Sequence, residues 1–290
     1  MSGERISLFT LQTIGLAAAA MLAFAANSIL CRLALQQEAI DPASFGTIRL
    51  VSGAIALGVI VRLRSGRRSS SHVDWFAAAM LFVYVVFFSF AYLSLSAGTG
   101  ALILFGAVQL TMLGWGLWSG ERFTPVAWFG LFLAVAGLGY LVSPGIAAPR
   151  FLGAVLMAVA GLAWGIYSLR GRGVADPLTA TAGNFARAAP FALMLSVFFA
   201  FKAHADAAGI GLAIASGALT SGIGYVIWYA ALSRLSAMRA ATVQLSVPLI
   251  AAFGGVAFLS ESLTLRLVVA SAAILGGIAL VLACKVPKRP

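Results

Sequence analysis

Ten uninterrupted apolar runs, each about 18–25 residues long, follow one another along this chain with only short polar gaps between them. A helix of that length crosses the ~30 Å hydrocarbon layer of a bilayer, so the pattern leaves little choice of fold. The runs lie at 10–33, 43–62, 74–95, 98–119, 125–142, 150–170, 177–200, 207–232, 237–259 and 265–284. Gaps such as Gln37-Glu38, Gly120-Glu121-Arg122, Ser143-Pro144-Gly145 and Asp176-Pro177 punctuate them. Strands of a membrane barrel would alternate apolar and polar positions over about ten residues, and these runs do not alternate. Only 9% of the 290 residues are charged while 62% are hydrophobic, too few charges to coat a soluble domain. The expected fold is all-α and integral to the membrane, with ten transmembrane helices.

A net charge of +11 would suit a nucleic-acid surface if it were concentrated on one exposed domain. Here the basic residues sit in the gaps, so the charge reads as topology and no nucleic-acid partner is expected. Thirteen Lys and Arg fall on one side of the expected topology, among them Arg62, Arg64, Arg67, Arg68, Arg170 and Arg172. Four fall on the other: Arg32, Arg150, Lys202 and Arg266. By the positive-inside rule both termini are expected in the cytoplasm, with the chain in a bacterial inner membrane. The first run is too long for the apolar region of a signal peptide and counts as a helix of the fold.

Sliding the sequence on itself by 140 residues pairs Ser96-Ala97 with Ser236-Ala237, Glu121 with Glu261, Thr124 with Thr264 and Gly137 with Gly277. Slightly different offsets pair Arg32 with Arg170, Asp41-Pro42 with Asp176-Pro177, and Arg49 with Arg187. The expected organisation is therefore two repeats, 1–145 and 146–290. Five helices per repeat is an odd number, so the second copy would be inverted, an arrangement that secondary transporters use to form a site near the midplane.

These residues resemble the EamA family of the drug/metabolite transporter superfamily. The first unit carries Ala26-Asn27-Ser28, Asp41-Pro42, Arg49 and Gly120-Glu121-Arg122-Phe123-Thr124. The second carries Ala163-Trp164-Gly165, Asp176-Pro177, Arg187 and Leu259-Ser260-Glu261-Ser262-Leu263-Thr264. Within the family the chain looks most like YddG-type amino acid exporters, which implies export of hydrophobic and aromatic amino acids by alternating access. A drug or quaternary-cation exporter is the alternative, and a non-transporting scaffold or sensor is the alternative of another class. The family's proline midway along the fourth helix of each unit is present as Pro248 but replaced by Val108-Gln109 in the first half. Helix bending is thus expected to differ between the halves.

Enzymatic chemistry finds no support in the residues. Lysines occur only at 202, 285 and 288, none in a phosphate-binding loop. His72 and His204 lie in gaps on opposite sides, so no metal site is expected, and no cofactor. Cys31 and Cys284 fall at opposite membrane faces, beyond disulfide reach. All eight acids lie at helix ends or in gaps, which leaves no mid-membrane carboxylate to relay protons. Glu121 and Glu261 are expected to be interfacial turn residues.

Arg49 and Arg187 lie about two turns inside their runs. Either could receive a substrate carboxylate. The expected role is structural, snorkelling to the interface or serving Asp41, Asp176 and loop carbonyls, because matching places in both halves suit a shared job. The candidate cavity is drawn instead from polar and aromatic residues at helical spacing: Asn27, Tyr84, Phe88, Gln109, Trp164, Tyr225, Trp228 and Gln244. The three amides are costly in hydrocarbon and should face inward. Gly222, Gly224 and Pro248 are candidate hinges, and Gly116/Gly120 and Gly161/Gly165 have the spacing that permits close helix contact. A monomer is expected, since ten helices already enclose a pathway.

Overall fold

The computed structural model describes residues 2–64, 74–235 and 237–286. The expected cytoplasmic residues Arg67 and Arg68, His72, Lys288 and Arg289 lie outside them, as does Ser236. The chain folds as helices α1 Ser2–Gln36, α2 Pro42–Leu63, α3 Trp75–Ala91, α4 Ala97–Trp118, α5 Pro125–Val142 and α6 Phe151–Arg170. They are followed by α7 Pro177–Phe198, α8 Ala207–Ile214, α9 Gly224–Leu232, α10 Ala237–Gln244, α11 Val247–Leu259 and α12 Leu265–Cys284. Eight helical stretches are long and apolar enough to cross a membrane, and Trp75–Ala91 is apolar but shorter. Helix α7 carries Asn184, Arg187 and Pro190 and is not among those eight stretches.

Aspartate, serine or threonine starts most of these helices, for a physical reason. The first backbone N–H groups of a helix have no intrahelical acceptor, and at a membrane boundary a side-chain oxygen must supply one. Asp41, Asp74, Asp176 and Asp206 cap α2, α3, α7 and α8, and Ser96 and Thr124 cap α4 and α5. Proline occupies the first turn of α2, α5 and α7, where its missing N–H is no loss.

Several boundaries differ from the sequence expectation. Helix α3 has 17 residues and ends at Ala91, because Tyr92–Leu95 turn sharply into α4. The expected eighth helix is α8 and α9 joined by a π-helical segment, Ala215–Ile223. The expected ninth is divided at Leu245–Ser246, just before Pro248, whose ring blocks continuation of the helix from residues before it. Helix α4, without that proline, is continuous, so the expected difference between the halves is present. The fold is not purely helical: strands β1 Arg122–Phe123 and β2 Lys285–Val286 pair antiparallel.

Helix α5 packs along α12, α2 along α7, α3 and α4 along α6, and α1 along α9 and α11. Close crossings rest on small residues. A Cβ added at Gly161 would come within 2.6 Å of the Leu104 carbonyl oxygen, and one at Gly165 within 2.8 Å of Thr111, so α6 meets α4 as its GxxxG spacing suggests. The Gly116/Gly120 pair does otherwise. Gly116 faces the Glu121 carboxylate, and Gly120 turns with φ 90°, which makes them a helix end and not a helix contact.

Candidate functional site

A small cavity lies where six helices converge. Phe24, Asn27 and Ser28 enter it from α1, Arg49 from α2, and Tyr84 and Phe88 from α3; Leu104 and Phe105 come from α4, Trp164 from α6 and Tyr225 from α9. The interior measures about 10 Å³ to a water-sized sphere, room for roughly one water. The helices are therefore closed around the site in this conformation. A wider depression of about 460 Å³ beside Tyr140 and Arg266 lies at the molecule's surface. Its arginine is already bound to the Leu141, Ser143 and Pro144 carbonyls, so it offers little to a solute.

Aromatic rings form most of the cavity wall. Tyr84 stacks on Trp164 at 5.4 Å between centroids, and Phe105 meets the same indole edge-on at 5.2 Å. Phe24 stands edge-on to Trp164, Tyr225 and Trp228 at 5.8–6.0 Å, the offsets that aromatic quadrupoles prefer.

The polar part of the site is delivered by the π-helical segment. Gly217 sits so close to the Arg49 backbone and to Ser52 that no Cβ would fit, which seats this segment against α2. The seating turns Ser216 and Thr220 toward α1, where both hydroxyls donate to Asn27 Oδ1 at 2.8 and 2.6 Å. Ser221 faces α2 and accepts from Arg49 Nε at 3.3 Å. Widened turns of this kind are frequent at functional positions.

Arg49 is where the structure departs most from the sequence expectation. It neither snorkels nor serves Asp41, whose oxygens accept from the Ala43, Ser44 and His204 backbone N–H groups. Its side chain is 2% exposed. Nη2 donates to Tyr84 Oη at 2.9 Å, and the guanidinium carbon lies 4.9 Å from the Phe88 ring centre and 5.2 Å from that of Tyr84. Nη1 is buried without a hydrogen-bond partner. The ion pairs among the described residues involve Arg32, Arg64 and Arg170, so no carboxylate neutralises this charge. Arg187 shares the buried, unpartnered Nη1 but not the rest of the setting: it is only part-buried and lies outside the cavity wall.

Of the eight expected cavity residues, Asn27, Tyr84, Phe88, Trp164 and Tyr225 line it. Trp228 is buried behind Phe24. Gln109 is buried with Nε2 unpartnered, and Gln244 is half-buried at the end of α10; neither reaches the cavity. Phe24, Ser28, Leu104 and Phe105 were missed. Phe24 stands three residues before Asn27 and so shares its helix face, a signal legible in the sequence. Gly222 lies inside the π-helical segment, Gly224 opens α9 and Pro248 opens α11.

Ion pairs join the two halves at each end of the bundle. At one end Asp74 meets Arg170 at 2.9 Å and Asp176 meets Arg64 at 3.6 Å. At the other, Glu261 meets Arg32 at 3.3 Å and accepts from Ala97 N–H at 2.8 Å. Glu261 is therefore more than an interfacial turn residue. Burial pushes its carboxyl above the usual glutamate value, with the Ala97 amide and Arg32 offsetting only part. Burial also pushes Asp74 and Asp176 up, but the Ala77 amide with Arg170, and Thr179 with Arg64, outweigh it and hold both low.

These directions set opposite signs. The contribution of Asp74 and Asp176 is present above the ordinary aspartate value and lost as pH falls through the lower folded value. The contribution of Glu261 is fully present below the ordinary glutamate value and lost as pH rises through the folded one. Melting scans should show no acid loss between about pH 7 and 5 and a decline below about pH 4. A melting temperature that already falls by pH 5 would contradict the assignment.

Apolar spanning helices joined by capped turns define a multi-pass membrane protein. The chain belongs to the EamA-like transporter family, whose pattern matches residues 11–143 and again 151–283. An uncharacterized protein of Pseudomonas aeruginosa is 52% identical over 94% of this chain and 95% of its own length. An uncharacterized transporter of Archaeoglobus fulgidus is 30% identical over 82% of this chain and 86% of its own. A solved crystal structure shares the fold with a TM-score of 0.63 at 20% identity, covering 91% of this chain and 95% of that one.

Proposed function

We propose that this transporter is a secondary carrier of the bacterial inner membrane that exports small hydrophobic and aromatic amino acids by alternating access. The observation that carries the reading is the aromatic cavity closed around Arg49, built by helices from both halves of the chain. A mostly apolar wall with a few placed polar groups suits a small amphipathic solute.

The halves are read as two inverted five-helix repeats, 1–145 and 146–290, and the packing supports this. Exchanging the halves maps α5 on α12 and α2 on α7 onto themselves. The same exchange maps α3 on α6 onto α9 on α1, and α4 on α6 onto α11 on α1. Opening would bend the second half near Gly222, Gly224 and Pro248, where the helices are already π-helical or broken, and a monomer suffices. Reporter fusions at Arg67 and at the C-terminus should both read cytoplasmic. A periplasmic signal from the C-terminal fusion would sink the ten-helix topology.

Purified protein in liposomes tests the function. Substrate-specific flux of labelled phenylalanine or leucine is the expected result. Flux of quaternary cations alone would support the alternative exporter, which aromatic rings favour through cation–π attraction but a buried like charge opposes. No flux of either would leave a scaffold or sensor.

A further inference from the structure

We infer that Arg49 is the receptor for the acidic group of the substrate, so that the carrier recognises a carboxylate on an aromatic or branched apolar body and does not require the amine. This deepens the amino acid reading and rests on it for the apolar body alone.

An ionised side chain within a membrane protein is retained for a function or a partner, because leaving a buried charge uncompensated costs several kcal/mol. Arg49 has no anionic partner among the described residues, yet it is 2% exposed. Its environment is also selective by atom. Nε and Nη2 are held by Ser221 and Tyr84, which fixes the guanidinium plane, while Nη1 is buried without a partner on a side chain that lines the cavity. The Tyr84 hydroxyl accepts from Nη2 and so keeps its own hydrogen to donate. Nη1 and Tyr84 Oη together present donors for the two oxygens of one carboxylate, a charge-assisted arrangement.

A purely structural arginine would show the same surroundings in both halves. Arg187, its counterpart in sequence, also has a buried Nη1 without a partner, but it is only part-buried as a whole and stands outside the cavity wall, away from the aromatic rings and from Ser221. The cavity wall contains no Asp or Glu, and Asn27 Oδ1 already accepts two hydroxyls. An ammonium group on the substrate therefore finds ring faces and the Ser28 hydroxyl but no opposite charge, whereas a carboxylate finds a full one. The site is built for the acid and is indifferent to the amine.

The test uses the full chain in liposomes with three labelled probes of one size: phenylalanine, phenyllactate, which replaces the amine by a hydroxyl, and phenylalaninamide, which masks the acid. Wild type should move the first two and not the third. Arg49→Gln should lower flux of both carboxylates about tenfold or more, and Arg49→Lys should recover part of it because charge returns without the fork. Arg187→Gln should leave flux near wild type. Monodispersity and melting temperature identify any variant that fails to fold, and Arg49→Lys then carries the comparison.

If wild type moves phenylalaninamide as well as phenylalanine, or folded Arg49→Gln or Arg49→Lys shows undiminished carboxylate flux, the receptor role is overturned while the amino acid reading stands. An equal loss in Arg187→Gln would also overturn it, as a general effect of removing a helix arginine. Movement of phenyllactate without phenylalanine would overturn the amino acid reading and support the receptor. Movement of neither carboxylate would overturn both.

Discussion

Truncating Trp164 to Ala should lower liposome flux of phenylalanine several-fold more than flux of valine, whereas Trp228→Ala should lower stability and leave that ratio unchanged. The two indoles are almost equally buried, at 7% exposure each, so burial does not separate them. Position does. Trp164 faces the cavity, stacked on Tyr84 with an interplanar angle of 19°, and offers its face to any ring that enters. Trp228 packs edge-on against Phe24 and is not part of the cavity wall. Removing a buried tryptophan costs about 3–5 kcal/mol where the gap cannot collapse. Trp228→Ala should bear that cost in detergent melting curves. Trp164→Ala should bear a similar cost, because the space beside it holds only about one water and three rings pack on the indole, so the flux ratio and not the melting temperature separates the two. A Trp164→Ala loss equal for both substrates and tracking the melting temperature would remove the indole from the site.

Replacing Glu261 by Ala should lower the melting temperature, and replacing it by Gln should lower it about half as much without stopping flux. The carboxylate joins three segments: the Ala97 amide at the start of α4, Arg32 on α1, and its own turn between α11 and α12. Alanine removes both interactions, a loss of about 2 kcal/mol, or on the order of 5 °C. Glutamine keeps an oxygen for the Ala97 N–H, and in losing the charge that faces Arg32 it also sheds the burial penalty that raises the carboxyl, so it costs less than alanine. Transport should persist because Glu261 sits at a helix end, away from the cavity wall, and so has no place in a midplane proton relay. Complete loss of flux in a well-folded Glu261→Gln protein would overturn that argument and make the carboxylate part of the coupling.

Much of this molecule is written locally. A run of apolar residues declares a helix by its length, because the bilayer thickness is fixed. An aspartate before such a run declares where the helix starts, because its first amides need an acceptor. Asp41, Asp74, Asp176 and Asp206 all do so. The aromatic wall was also largely legible, since Tyr84 and Phe88 share one helix face by their spacing.

The tertiary structure decided what each polar side chain faces. Gln109 and Gln244 looked as suitable as Asn27 for the cavity, yet only Asn27 meets the hydroxyls of Ser216 and Thr220. Arg49 and Arg187 occupy equivalent places in the sequence and different environments in the fold. The cause is the close seating of Gly217 on α2 and the wide turn around it, which rotates Ser221 toward one arginine and has no counterpart near the other. Helix length and capping depend on a few neighbouring residues and a fixed solvent thickness, so the sequence determines them. The direction in which a side chain points depends on how six helices from two halves rotate against one another, and that is decided only when they pack.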